Sequence, residues 1–268
     1  MQCRFIDTGF NNAFMNMAID EAILHYCNIP VLRVYAWKPS ALSIGYNQGL
    51  NEINLEKCKE FDIDIVRRIT GGKAVFHDKE ITYSFIFPED LNLLPKEINE
   101  SYREIANALV LALKKFGIEA EIKKTPERIK TSICFNSSNW YELLVNGKKI
   151  SGSAQRRIHG KVLQHGSILT DFDYEKNDSL FNSNNLVDNV ENLKKRITSL
   201  NNELKNNKDT EINYRKLAEA IKHGFKENFN FDIFNDKLNY DEIMLAKKLR
   251  EEKYETEEWN YGFITKTI

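Results

Sequence analysis

Between Asn12 and Cys27 apolar residues recur every three or four positions, at Phe14, Met15, Ala18, Ile19, Ala22, Ile23 and Tyr26. That spacing lays them along one face of an α-helix, and the Asn11-Asn12 pair stands where a side chain can cap its first free N–H groups. The period then changes. Residues 31–37, 41–46, 63–69, 74–77 and 81–87 are short runs rich in apolar and β-branched residues, as strands are, with Lys38-Pro39-Ser40 and Thr70-Gly71-Gly72 as breaks between them. A short helix is expected near 55–60. The strongest helical stripe covers 100–116, through Tyr102, Ile105, Ala106, Leu109, Leu113 and Phe116. Asn99 is placed to cap it and Gly117 to close it.

The middle of the chain reads as strands at 118–122, 132–135, 140–145, 149–153 and 162–169. Asn146-Gly147 is a strong hairpin signal, and His159-Gly160 marks a second turn. From 175 to 212 the chain is rich in Asn, Lys and Ser, with one helix expected at 190–200. Helical patterns at 214–228 and 240–252 follow. Interleaved helices and hairpins predict an α+β fold, with mixed, largely antiparallel sheets flanked by helices. A length of 268 residues suits one domain. Its core is expected over about 30–215, with a helical segment, 213–268, packed on it.

Composition narrows the class. With 38 Lys+Arg against 39 Asp+Glu and 42% hydrophobic residues, the chain is neither a general nucleic-acid binder nor a disordered polyanion. No apolar run approaches the ~18–20 residues of a membrane span, and no basic-then-apolar leader opens the chain. The four cysteines, Cys3, Cys27, Cys58 and Cys134, form no CxxC pair, which argues against a disulfide scaffold or a cysteine zinc site. The expectation is a cytoplasmic monomer with reduced thiols, no nucleic-acid partner and no membrane association.

Two clusters carry candidate chemistry. In Arg67-Arg68-Ile69-Thr70-Gly71-Gly72-Lys73-Ala74-Val75-Phe76-His77 the glycine pair lets a ligand approach the backbone closely, although such a pair is most often only a turn. The second cluster runs from Gly147 to Ser167. It includes the small residues Gly152, Ser153 and Ala154, then His165, Gly166 and Ser167. From 143 to 170 there is no acidic residue, whereas Lys148, Lys149, Arg156, Arg157 and Lys161 are cationic, a local field suited to an acidic partner. Cys134 lies between apolar neighbours, where a thiol is usually inert; it becomes nucleophilic only beside a cation, and the hairpin could bring Lys149 to it. His77 and His165 border glycine-containing motifs. No metal-ligand spacing and no GxSxG elbow occur.

In order and spacing these motifs resemble the lipoate-ligase and octanoyltransferase branch of the biotin/lipoate ligase superfamily. Arg67-Arg68-Ile69-Thr70-Gly71-Gly72-Lys73-Ala74-Val75-Phe76-His77-Asp78 resembles its RR-x-[ST]-GG-x-AV-x-H-D motif. Gly147-Lys148-Lys149-Ile150-Ser151-Gly152-Ser153-Ala154 resembles its G-[RK]-K-[IV]-[SA]-G-[SA]-A strand, and His165-Gly166-Ser167-Ile168-Leu169 its HG-[ST]-x-L element. Lys253-Tyr254 with Trp259-Asn260 is similar to a KY…WN tail in that branch. His77-Asp78-Lys79-Glu80-Ile81-Thr82-Tyr83-Ser84 is similar to the H-D-x-E-[LI]-TYS form of LipM-type octanoyltransferases. Cys134-Phe135-Asn136-Ser137-Ser138-Asn139-Trp140-Tyr141-Glu142-Leu143 resembles their nucleophile segment. Lys73 stands where ligases usually carry a third glycine.

The resemblance implies a biotin/lipoate ligase catalytic-domain fold and two acyl shifts. Octanoyl-acyl carrier protein would load Cys134 as a thioester, with Lys149 lowering its pKa, and a lysine of an apo lipoyl domain, such as the glycine cleavage H protein, would take the acyl group. No cofactor and no metal are implied. Arg67, Arg68, Thr70, Gly71, Gly72, Ala74, His77, Tyr83, Gly152, Ser153, Ala154, His165, Gly166 and Ser167 would bind substrate, with Arg67, Arg68 and His77 around the mouth of an acyl tunnel. An ATP-dependent lipoate ligase, an amidotransferase acting between lipoyl domains and a silent carrier-binding module are the alternatives.

Overall fold

Asn12 caps the first helix, its Oδ1 accepting Met15 N–H at 2.9 Å. In the computed structural model, which describes residues 1–123, 142–182, 189–205 and 212–262, this helix is α1 (Ala13–Tyr26). It follows β1 (Gln2–Asn11), a strand the alternation does not announce. Phe5 and Ile6 are both buried, Gly9 takes a φ of +62°, and the register slips between Asp7 and Gly9, so no clean period of two survives.

The chain continues through β2 (Val31–Trp37), β3 (Ala41–Ile44), α2 (Leu55–Glu60), β4 (Asp64–Arg67), β5 (Val75–His77) and β6 (Glu80–Pro88). Helix α3 (Ile98–Lys114) begins and ends two residues earlier than expected. Glu97 caps it, accepting Glu100 N–H at 2.7 Å, and Asn99 lies inside the helix. Gly117, at φ +71°, closes it: its N–H bonds Lys114 and the next N–H reaches Leu113, both through backbone carbonyls. Then come β7 (Glu121–Ile122), β8 (Leu143–Val145), β9 (Lys148–Ile158), β10 (Lys161–Leu169) and α4 (Tyr174–Ser179). The helix expected over 190–200 is two, α5 (Val190–Arg196) and α6 (Leu200–Glu203), parted where Thr198 N–H bonds Lys149 O at 2.9 Å. Helix α7 (Tyr214–Phe229), β11 (Asp232–Asp236), α8 (Tyr240–Leu249), which runs on into a π-helical turn at Arg250–Tyr254, and α9 (Glu257–Tyr261) follow. The strands expected at 132–135 and at 140–141 lie outside the described residues.

Eight strands form one sheet in the order β11-β1-β2-β6-β10-β9-β8-β7. The two ladders made by β1 are parallel and the rest antiparallel, which is the mixed, largely antiparallel α+β arrangement expected. A three-stranded sheet, β4-β3-β5, stands beside it. Helices α3 and α7 cover one face of the large sheet through Ile105, Leu109, Leu113, Ile221 and Phe225. On the other face α1 packs through Ala18, Ile19, Ala22 and Ile23. The small sheet encloses its own apolar cluster with Leu180, Phe181, Leu193 and Ile197. Among the described residues no helix is long and apolar enough to cross a membrane.

Helix α7 crosses α3 at Gly224, where an added Cβ would sit 2.1 Å from Ala108 O and 2.9 Å from Ala112 N. Helix propensity alone makes Gly→Ala stabilising by roughly 0.5–1 kcal/mol. Here backbone stands in the way, so we expect Gly224→Ala to cost about 1–3 kcal/mol instead. Thermal unfolding followed by circular dichroism reads the sign; a raised Tm would mean the helices do not approach this closely.

Candidate functional site

Four residues in cross-strand register, Gly152 on β9, Ser167 on β10, Thr82 on β6 and Tyr35 on β2, make a row perpendicular to the strands of the large sheet. A cavity lies over it. Ser43, Arg68, Gly72 and His77, from the small sheet and its loops, form the opposite wall. Met17, Tyr35 and Trp37 close one side, and Lys149 stands on the wall with Gly152, Ser153, Ala154, His165, Gly166 and Ser167. The small residues have a steric reason. A Cβ on Gly166 would meet Ser153 Oγ at 2.5 Å and Gly152 O at 2.6 Å.

The glycine loop is held from beneath. Arg68 donates to Ser43 O at 3.1 Å and, through its other nitrogen, to Gly71 O at 2.7 Å and Lys73 O at 2.8 Å. Gly72 adopts φ +95°. Its carbonyl oxygen lies so near Gly45 that a Cβ there would be 1.9 Å away, a requirement the sequence does not reveal. Arg67, expected near the tunnel mouth, is placed elsewhere. Its guanidinium donates to the carbonyls of Gly45, Tyr46, Gln48, Trp259 and Asn260, clasping the segment after β3 to α9. It does not line the cavity. Neither do Gly71, Ala74, Thr70 or Tyr83. Ala74 is buried in the small sheet's cluster, Thr70 reaches the site through His165, and Tyr83 packs on the α3 and α7 face with its hydroxyl 2.8 Å from Ser153 Oγ.

Behind the cavity lies a buried polar network that sequence reasoning missed. Asp20, on α1, accepts Arg33 Nη1 at 2.6 Å, Ser84 Oγ at 2.8 Å and Tyr35 OH at 2.9 Å, and its Oδ2 lies 3.3 Å from His165 Nδ1. His165 Nε2 in turn meets Thr70 Oγ1 at 2.6 Å. Arg33 also donates to Asn16 and Thr8. Burial drives the Asp20 carboxyl upward, but Arg33 and the His165 contact outweigh it and hold the group below the usual carboxylate range. Burial, only partly opposed by Asp20, keeps His165 below the ordinary histidine value. The available signal was Asn16 and Asp20, polar at i and i+4 among the apolar positions of α1.

His77 stacks on Trp37, with centroids 3.9 Å apart, and its Nε2 meets Ser43 Oγ at 2.8 Å. Lys149 is buried, with Nζ 2.6 Å from the equally buried Glu142 Oε1. Cys134 lies outside the described residues, eight positions before Glu142 in the chain. Cys3, Cys27 and Cys58 are buried free thiols, which burial pushes up to about 12, 11 and 11.

The five cations of the acid-free stretch do not form one basic field. Lys148 binds Lys194 O, Lys149 pairs with Glu142, and Arg157 pairs with Glu89 at 2.8 Å. Neighbours on a strand face opposite ways, so Arg156 turns from Arg157 toward Ile69 O and the Tyr46 ring. With Lys161 it lines a second, open cleft. Lys73, in the position of the ligases' third glycine, binds both oxygens of Glu52 at 2.7 Å. Among the described residues no group of His, Cys, Asp and Glu is arranged to hold a metal ion.

The network fixes a pH dependence. The unfolded chain takes up a proton on His165 near pH ~6.5 and on Asp20 near ~3.9, whereas the fold resists both. Stability is therefore full above ~6.5, is lost first as His165 protonates the unfolded state, and is lost further as pH falls through the lowered Asp20 value. We expect a lower unfolding midpoint at pH 5.5 than at pH 7.5, and a smaller difference in His165→Gln; an unchanged difference in that variant would assign the effect elsewhere.

Comparison with known proteins places this geometry. The Lipoyl protein ligase A/B catalytic domain family matches residues 12–226. The chain is 43% identical over 271 residues to "Octanoyltransferase LipM" of Clostridioides difficile, covering 97% of this chain and 98% of that protein. It is 38% identical over 274 residues to the protein of the same name from Bacillus subtilis, covering 96% and 97%. Among solved structures it is similar to a lipoate-protein ligase A bound with ATP, with a TM-score of 0.81 at 26% identity, covering 98% of this chain and all of that one. It is likewise similar to a bipartite lipoate protein ligase described with its E2 lipoyl domain from Thermoplasma acidophilum, with a TM-score of 0.79 at 25% identity, covering 100% and 98%. The chain belongs to the lipoyl protein ligase A/B catalytic-domain family, among the LipM octanoyltransferases.

Proposed function

We propose that this protein moves an octanoyl group from octanoyl-acyl carrier protein to a lysine of an apo lipoyl domain, through a thioester on Cys134, without ATP. The observation that carries the reading is Lys149, a buried amine on the wall of a cavity lined by small and aromatic residues. Octanoyl transfer is what the near full-length relatives are named for, and a lipoyl domain is the partner named with one structural relative.

The chemistry follows from the groups. Cys134, as thiolate, adds to the carbonyl of the carrier thioester; the carbon–sulfur bond to the carrier breaks, and the carrier thiol leaves with a proton from solvent. The acceptor lysine, as a free amine, then attacks the new thioester. Cys134 departs as thiolate, the amine gives up its proton, and an amide remains. Exchange between thioesters is nearly neutral in free energy and amide formation is downhill, so neither step needs a nucleotide. The Lys149 ammonium would favour the thiolate and the oxyanion of each tetrahedral intermediate; one pKa unit at the thiol is worth about 1.4 kcal/mol. The other three cysteines, buried and raised far above neutrality, are poor nucleophiles. The uncharged tail fits the region beside Met17, Tyr35 and Trp37.

Mixing the protein with octanoyl-acyl carrier protein, with no ATP present, tests this by intact-mass spectrometry. We expect one octanoyl adduct on the wild type, removed by hydroxylamine and absent in Cys134→Ala. Absence from both would end the thioester mechanism, and adenylate formation from lipoate and ATP would then identify a ligase.

A further inference from the structure

A lysine ammonium removed from water tends to lose its proton, because burial penalises its charged form. A neutral amine could steady neither a thiolate nor an oxyanion. Lys149 is only 4% exposed, and the residues that line the cavity with it offer Arg68, His77, His165 and Tyr35 as titratable or charged company; none is a carboxylate, and burial drives the Tyr35 hydroxyl upward. Glu142, itself 6% exposed, meets Lys149 at 2.6 Å. Both backbones are fixed. Lys149 pairs with Leu144 across the β8–β9 ladder and its carbonyl accepts Thr198 N–H, while the Glu142 carbonyl accepts Lys123 N–H. The register slips between Leu143 and Leu144, a bulge of the kind that redirects side chains, beside this pair.

We propose that Glu142 is a positioning residue that keeps the Lys149 ammonium charged and fixed on the cavity wall. The inference rests on the reading of Lys149 as the cation that serves Cys134. Removing the Glu142 charge has two opposed consequences at that thiol. If Lys149 stays protonated, the site loses an anion and the thiol ionises more easily. If Lys149 becomes neutral, the thiol loses its cation and ionises less easily. The sign of the change therefore separates a carboxylate that sustains the ammonium from one that merely fills space or offsets it.

The experiment uses the full chain as wild type, Glu142→Gln, Glu142→Asp and Lys149→Met. Lys149 is titrated by NMR in protein labelled with ¹⁵N-lysine, its signal identified by its loss in Lys149→Met. Cys134 is titrated by the pH dependence of its iodoacetamide alkylation, read on its own peptide. In Glu142→Gln we expect Lys149 to titrate about one unit lower or more, Cys134 to ionise at higher pH, and octanoyl loading at pH 7 to fall about tenfold. Glu142→Asp, which keeps the charge, should restore most of each. An unmoved Lys149 titration, or a Cys134 that ionises at lower pH in Glu142→Gln, overturns the proposal. Should Glu142→Gln not fold, Glu142→Asp decides: Lys149 near its wild-type titration supports the charge role, and a shift as large as the one expected for Gln refutes it. Failure of the underlying reading looks different. Lys149→Met would then leave Cys134 ionisation and loading as they are in the wild type, whatever Glu142 does to Lys149.

Discussion

The Arg33–Asp20 ion pair, closed to 2.6 Å inside the protein, is the contact on which the geometry of the site depends. Two charges in such a place are costly unless nearly every donor and acceptor is used. Here they are: Arg33 reaches Asp20, Asn16 and Thr8, and Asp20 takes Arg33, Ser84 and Tyr35 with His165 alongside. These partners come from β1, α1, β2, β6 and β10. Satisfying one pair of charges therefore sets the depth and rotation of α1 over the large sheet. Through His165 it also fixes Thr70, the residue just before the glycine pair. The loop that roofs the cavity is tied to a helix far away in sequence.

A second constraint is close approach of backbone to backbone. Gly45 admits the Gly72 carbonyl, and Gly166 admits Ser153 and the Gly152 carbonyl. These contacts bring the loop and β9 near enough to enclose a cavity, and the missing side chains leave it open inside. Charge is then distributed by strand alternation. Lys149 faces the cavity and finds Glu142, whereas Arg156 and Arg157 part to opposite sides, so a run that looks uniformly basic in one dimension has no single basic face in three.

What the sequence disclosed follows the range of the interactions. Helices α1, α3 and α7 and the β8–β9 and β9–β10 hairpins rest on local periods and turns, and were legible. So were the glycine loop and the Gly152–Ala154 stretch, whose spacing brings most of the expected residues to one cavity. Strand β1 was hidden by its bulge, and β11 is a largely exposed edge strand with little apolar pattern. Arg67 looks like a ligand residue in its motif, yet four of its contacts depend on Trp259 and Asn260 folding back from the far end of the chain. Asp20, Arg33, Gly45 and Glu142 were missed for the same reason. Each is defined by a partner that only the assembled fold supplies.

The placement of charge also bears on how an acyl thioester would lie. At the α1 end the charges cancel: Asp20 is matched by Arg33, and burial keeps His165 on the neutral side of its ordinary range. Aromatic and aliphatic groups, Tyr35, Trp37 and Met17, present the surface there. An alkyl tail gains from such a wall and a developing oxyanion does not. At Lys149 the charge is matched as well, by Glu142, but Lys149 lines the cavity and Glu142 does not, so a cation held there would favour negative charge far more than it would in water. A substrate with an apolar tail and a carbonyl that becomes an anion has one orientation in which both ends match, tail toward Trp37 and carbonyl toward Lys149.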